Sequence, residues 1–247
     1  MMPWDEGPVL CFTSDVEWSS EEALVETQGL FERFGIRPTY FFTHPSPFLS
    51  GLLREGRIEA GVHPNFLPGS SHGNSVAEVI DTCLTLVPGL ECFRSHRFYD
   101  VTDITHAFYA KGLRYDANVC TLLQKGIRPF VHESGLLRFP TFFEDGTYLF
   151  HRRPLEYDRS LFDGPGLRVV SVHPMHMVMN SPDLAYARRI KDSVSREAWN
   201  RLSGPDLAKL RHPGKGIRDL VEAMLEDVTG RGLPVFTLKQ LYHAFPR

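Results

Sequence analysis

VLCFTSDVEW, residues 9–18, sets five residues fit for a buried strand directly before two acidic side chains spaced two apart. Side chains on a strand alternate between faces, so Asp15 and Glu17 are expected on one side and Val16 on the other. Two carboxylates sharing one spot at the end of a buried strand repel each other unless a cation, a shared proton or a basic partner lies between them. A single acidic pair can equally open a loop and favour the start of the next helix. What favours chemistry is that the pattern repeats along the chain.

Downstream, strands and helices alternate. SSEE supplies Ser19 as an N-cap with Glu22 three positions on, a capping box, and Leu24, Leu30, Phe31 and Phe34 form an apolar stripe that Gly35 is placed to end. PTYFFTH is a β-rich run ending at His44, where Pro45 and Pro47 prevent it from continuing, and IEAGVHPNF is another, ending at His63 before Pro64. LPGSSHGN, residues 67–74, is a loop of turn formers carrying His72. Ser75 and Glu78 make a second capping box ahead of Val76, Val79, Ile80, Cys83 and Leu84 at helical spacing. LECFRSHRF reads as a strand delivering Arg94 and His96, residues 103–111 as a helix, LRYDANV as a short strand carrying Asp116, and LLRFPTFFED as a strand ending near Glu144 and Asp145.

Residues 146–166 show no clear period and stay unassigned. LRVVSVHP is the strongest late strand signal, with His173 at its end and His176 just beyond, and the charged stretch 180–215 reads as an excursion over the surface. An amphipathic helix carrying Ile217, Leu220, Val221, Met224, Leu225 and Val228, a last strand LPVFTL and a closing helix LKQLYHAF complete the chain.

This alternation implies parallel βαβ units, in a closed or partly closed barrel or an open doubly wound sheet, within one domain spanning residues 1–247. Such folds place their sites at the C-terminal ends of the strands. Asp15, His44, His63, Arg94, Asp116, Asp145 and His173 would therefore converge on one rim, which points to an enzyme. A formal net charge of −3 over 247 residues argues against a broad surface for nucleic acid or anionic lipid. No apolar stretch approaches a membrane span, and the N-terminus lacks a basic segment followed by an apolar one, so the chain reads as cytoplasmic. Cys11, Cys83, Cys92 and Cys120 are widely spaced in apolar contexts and read as buried thiols, not as a disulfide frame or a cysteine metal site.

Acids with two or three histidines suit a divalent first-row metal such as zinc, with a position left open for water. The residue four after His63 is Leu67, so a second imidazole must come from another segment. His72 can reach on its Gly-Ser loop, with His96 and His176 as competitors. Arg94 on a buried strand needs an anionic partner, for which Asp15 is the candidate. His173 suits a general acid or a core histidine bonded to backbone.

TSDVEW, PTYFFTH, GVHPNF, FRSHRF, RYDANV, RFPTFFED and VSVHPMH follow the order of motifs in the polysaccharide deacetylase-like proteins, the NodB homology or carbohydrate esterase 4 family. The chain resembles most a divergent branch associated with surface-polysaccharide gene clusters. The resemblance implies a distorted (β/α) barrel of about seven parallel strands, a zinc-like divalent ion, and removal of an N- or O-acetyl group from a sugar or oligosaccharide substrate. It assigns Asp15 as the general base, Glu17 and His63 as metal ligands, Arg94 as the residue holding the base, Asp145, or else Glu144, as the acid orienting the last histidine, and His173 as the general acid. Two departures stand out: Val16 separates the two acids, with Glu in place of the usual Asp, and no second histidine follows His63 at four residues. His72 is assigned that place. Trp18, Phe66, Phe98, Tyr99 and Phe143 are candidates for stacking on sugar rings. Two other readings keep the fold: a metal-independent hydrolase of amides or ureides, and a catalytically silent carbohydrate-binding protein.

Overall fold

The computed structural model describes residues 3–246. At its centre β1 (Pro8–Asp15) lies between β2 (Thr39–Phe42) and β9 (Gly166–Val172), parallel to both. A strand covered on both faces needs apolar side chains at successive rather than alternate positions, and Val9, Leu10, Cys11 and Phe12 supply them, all buried. Outward from β2 run β3 (Glu59–Val62), β4 (Cys92–Phe93), β5 (Tyr115–Asp116) and β7 (Leu137–Arg138), each parallel to its neighbour, with β6 (Phe130–Val131) antiparallel at the edge. On the other side β9 pairs in parallel with β8 (Thr141–Glu144).

The sheet curls back on itself. β7 and β8 are two halves of one path bent around Phe139 and Pro140, and while β7 pairs with β5, β8 is tied to the chain that follows β5. Thr141 N–H donates to Val119 O at 2.7 Å, Thr121 N–H to Thr141 O at 2.9 Å, and Leu123 N–H to Phe142 O at 2.7 Å. Taking β7 with β8 as one and leaving out antiparallel β6 turns the nine strands into the seven parallel strands of a distorted barrel. The expected last strand is reduced to one bridge, Leu10 to Val235, beside the part of β1 that precedes its pairing with β2.

Helices cover the outside. The first cap falls one residue later than the spacing predicts: Ser20 accepts from Ala23 N–H at the start of the helix Glu21–Arg33, while Ser19 Oγ donates to Val16 O. At the second, Ser75 accepts from Glu78 N–H, and Glu78 Oε2 takes Asn74 N–H instead of closing the box. The unassigned stretch holds a helix Asp145–Phe150 and a 3-10 turn Arg159–Phe162. Residues 180–215 are more than a surface excursion: the short helices Leu184–Ser193, Arg196–Trp199 and Gly204–Lys209 bury Ala187, Trp199 and Leu207 against Met175, Val178 and Met179. Among the described residues no helix is long and apolar enough to cross a membrane. Cys11, Cys83 and Cys92 are buried free thiols, and Cys120 is partly buried.

Candidate active site

Asp15 is the last residue of β1, and the chain leaves strand geometry immediately after it. Val16 N–H still reaches Phe41 O, but Glu17 and Trp18 turn left-handed, with φ of 50° and 55°. Two successive non-glycine residues there cost roughly 1–2 kcal/mol each. The turn is held by Trp18 N–H on Thr43 Oγ1 and Ser19 N–H on Val16 O. The two carboxylates therefore meet through a bend, not through the strand alternation expected from sequence. They approach opposite nitrogens of one ring: His63 Nε2 lies 2.9 Å from Glu17 Oε1, and His63 Nδ1 lies 3.8 Å from Asp15 Oδ1.

Arg94, just past β4 and fully buried, ties the barrel interior to Asp15. Its NH1 donates to Asp15 Oδ1 at 2.8 Å and also faces Thr13 Oγ1 and Ser171 Oγ; NH2 reaches Thr141 Oγ1, and Nε donates to Ala117 O. The guanidinium lies 4.5 Å from the centre of the Phe41 ring. A buried charge with partners from four parts of the barrel fixes both itself and the carboxylate it pairs with.

His96 completes the group. Its Nδ1 is 2.5 Å from Glu17 Oε1, and the donor atoms of Glu17, His63 and His96 all lie within 4.8 Å of one another. The turn that carries it is strained, with Arg97 and Phe98 at positive φ, and Asn118 holds both its ends: Ser95 N–H donates to Asn118 Oδ1, and Asn118 Nδ2 donates to Tyr99 O. Burial pushes the Glu17 carboxyl up, but hydrogen bonds from His63 and His96 outweigh it and leave it well below its usual range. One carboxylate and two imidazole nitrogens, with His63 Nδ1 buried and without a hydrogen-bond partner, fit the donor set of a divalent first-row ion.

His72 does not join this group. Its Nε2–H donates to Thr43 O at 2.7 Å and its Nδ1 accepts from Asn65 N–H at 3.1 Å, so both ring nitrogens serve the backbone. The three donors that lie within 4.8 Å of one another include His96, named in the sequence as a competitor, and not His72. The signal was present in FRSHRF, two positions after the arginine, but spacing gave no reason to prefer it over a histidine on a pliable loop.

At the C-terminal end of β8 and β9, Asp145 takes His173 by two bonds, Nδ1–H to Oδ1 at 2.5 Å and the backbone N–H to Oδ2 at 2.7 Å. This turns His173 Nε2 toward the acids, 3.9 Å from both Asp15 Oδ2 and Glu17 Oε1. Burial alone would lower the pKa of His173, but the charge and hydrogen bond of Asp145 raise it well above the ordinary 6.5. Glu144 lies 3.2 Å from His173 Nδ1, caps the following helix through Gly146 and Thr147 N–H, and is pushed by burial up to about 7. His176 stands beside His173 but bonds Ser181 Oγ, and Asp145 is already spent on His173 and Gly146.

Other expected rim residues fall elsewhere. Asp116 is buried 3.1 Å from Arg138 Nε, and Arg138 in turn pairs with Asp100 at the barrel edge. His44 bonds its neighbour Thr43. Of the aromatics, Phe143 is fully buried in the core, whereas Tyr99 is exposed and Trp18 is partly so, stacked on His72 and edge-on to His96.

Residues 12–191 match the WbmS-like polysaccharide deacetylase family. Among solved structures, the chain is similar to a Bordetella bronchiseptica protein described as a polysaccharide deacetylase candidate involved in O-antigen biosynthesis. The two are 31% identical with a TM-score of 0.77, over 89% of this chain and 90% of that one. A 4-alpha-glucanotransferase from Thermococcus litoralis shares the fold at 12% identity and a TM-score of 0.52, over 97% of this chain and 39% of that one. No curated protein sequence matches.

Proposed function

The chain belongs to the WbmS-like polysaccharide deacetylase family, and from that we propose that it hydrolyses an acetyl group from a sugar of a polysaccharide or its precursor with the help of a divalent metal, zinc foremost. The observation that carries the reading is the meeting of three donors, Glu17, His63 and His96, with Asp15 and His173 facing them from two sides. A divalent cation held there would draw electron density from the acetyl carbonyl and lower the pKa of a water nearby.

The chain's own groups do the rest. Asp15, positioned by Arg94, accepts the proton of the attacking water. His173 donates from Nε2 to the departing amine or alkoxide, and Asp145 on Nδ1 keeps the ring turned for it and favours the protonated form. Asp15 and His63 are almost wholly shielded while His173 and His96 are partly exposed, so the sugar approaches across the histidines and the proton acceptor stays in a dry interior where its charge acts strongly.

The test is metal content by elemental analysis beside acetate release from N- and O-acetylated oligosaccharides. We expect about one zinc or cobalt per chain, acetate release that stops with chelator, and loss of both in His63→Ala. Full metal occupancy in His63→Ala would remove that residue from the ligand set. Chelator-resistant activity on amides or ureides would favour a metal-independent hydrolase, and glycan binding without acetate release in added zinc a silent binding protein.

A further inference from the structure

Beyond the barrel rim, a groove of about 990 Å³ runs between the end of the helix Asp145–Phe150 with the chain after it and the helix Leu184–Ser193. Its size is that of a ligand site. The groove is cationic on a chain that is acidic as a whole. Arg152, Arg153, Arg188, Arg189 and Lys215 line it against Glu156, Asp183 and Asp192. Lys215 and Glu156 neutralise each other at 3.1 Å, and Asp183 is occupied capping its helix through Tyr186 N–H. Among the described residues, none of the four arginines has a carboxylate partner within 4.0 Å. Arg33, Arg57, Arg211, Arg218 and Arg231 each hold a carboxylate, whereas among the described residues Arg37, Arg54, Arg97, Arg114, Arg168, Arg196 and Arg201 do not, so what sets the groove arginines apart is that four of them line one cavity.

Phe150 adds an apolar surface to the same groove, with 68% of the residue left in solvent and His151 edge-on to it at 5.2 Å. An aromatic ring beside guanidinium groups that hold no carboxylate, Arg189 lying only over the Tyr186 ring at 5.8 Å, suits a sugar that carries negative charge: the ring stacks on the pyranose, and the planar forks take a carboxylate or phosphate. Both walls of the groove follow in the chain from the Asp145–His173 pair. The helix that Asp145 opens is six residues, about 9 Å, long and ends at Phe150. The chain leaving His173 passes through the helix Pro174–Met179 to Pro182 and Asp183 on the opposite wall.

We infer that this groove is a subsite for an anionic acetylated saccharide, in which Arg152, Arg153, Arg188 and Arg189 hold a carboxylate or phosphate one or more sugars away from the acetyl group. The inference rests on the deacetylase reading for the acetyl group, though not for the charge. It is tested by calorimetric titration of the full-length protein with three probes: chitotetraose, which is neutral; a hyaluronan tetrasaccharide, which alternates N-acetylglucosamine with glucuronate; and UDP-N-acetylglucosamine, which carries its charge as a diphosphate.

At least one anionic probe should bind about tenfold more tightly than chitotetraose at low salt, and the advantage should fade as salt rises. Preference for the tetrasaccharide places the charge in the glycan chain; preference for the nucleotide sugar places it in an activated precursor. The triple variant R152Q/R188Q/R189Q should lose the advantage while leaving chitotetraose binding and the melting temperature unchanged, since all three residues are exposed. Equal binding of all three probes, or an anionic preference that survives the triple variant, would overturn the subsite. Because binding is read without turnover, arginine-dependent binding of these probes, together with no acetate released from any of the N- and O-acetylated oligosaccharides, would sink the deacetylase reading alone. Acetate release from every probe with no charge preference would sink the groove alone.

Discussion

At single residues, the candidate metal group depends on which nitrogens remain available. His63 and His96 each offer one to Glu17, whereas both nitrogens of His72 are taken by Thr43 O and Asn65 N–H. His96→Ala should therefore weaken zinc binding by at least the 10–100-fold that even an outer partner is worth, while His72→Ala keeps the metal, as read by competition with a chromophoric chelator. Asn118→Ala should fall between them, because the turn carrying His96 contains two residues at positive φ and loses the side chain that fastens it at Ser95 and Tyr99. A Co(II) spectrum identical to that of the parent would show that Asn118 does not position His96. The sequence brought forward Asp15, Glu17, His63, Arg94, Asp145 and His173 as candidates because each follows a strand in its motif, and the fold gathers them. It gave no ground for ranking His72, His96 and His176, because where each ring points is fixed by hydrogen bonds between segments far apart in the chain. His173 makes a further prediction. Asp145 holds its pKa well above 6.5 against the pull of burial, so in Asp145→Asn the alkaline limb of kcat/KM should move to lower pH. An unmoved limb would mean that another group donates the proton.

Strands and helices were legible where a local rule governs them and obscure where packing does. The proline-stopped strands and the amphipathic helices lie where their spacing places them, but β4 and β5 are only two residues long, and no period in the sequence encodes that. Gly61 on β3 shows such packing directly. A Cβ there would stand 2.6 Å from two carbons of the Phe41 ring and 3.0 Å from Cys92 O, and Phe41 is the ring against which Arg94 rests. Gly61→Ala should thus cost about 1–3 kcal/mol by overpacking and should also lower kcat, as the displaced ring disturbs the Arg94–Asp15 pair. Denaturant midpoints and initial rates measure the two effects, and trimming the ring in the double variant G61A/F41L should restore part of each. If G61A leaves both unchanged, Phe41 has room to turn aside and does not brace the arginine.

Across the whole molecule, parallel alternation was readable from sequence, but closure was not: it depends on residues 119–123 binding a strand some twenty positions later and on Val235 reaching back to Leu10. The curled sheet also buries ionisable groups whose balance sets how stability responds to pH. Glu144, raised by burial from its ordinary 4.5 to about 7, keeps a proton in the folded state that the unfolded chain has released, so across that window stability falls as pH rises. His173 acts in the same direction: its raised pKa contributes stability that is fully present below about 6.5 and is lost as pH climbs through the folded value. Glu17 and Asp145 act oppositely, since their depressed values give stability above the usual carboxylate range that disappears as pH drops through the folded ones. Metal ligation would strengthen with pH and mask the first two, so the measurement belongs in chelator. Urea unfolding there should give its highest midpoint at mildly acidic pH and decline toward pH 8, by up to about 1.4 kcal/mol per pH unit for each proton involved. Glu144→Gln, which removes the titrating carboxyl and keeps one oxygen for the helix cap, should reduce the decline below pH 7 by its own share, leaving that of Asp116, which burial also raises to about 7, and the part above it, which belongs to His173. A midpoint that rises from pH 5 to pH 8 in chelator would show that Glu144 is ionised in the folded protein and that the histidines lowered by burial, His44, His72 and His176, outweigh His173.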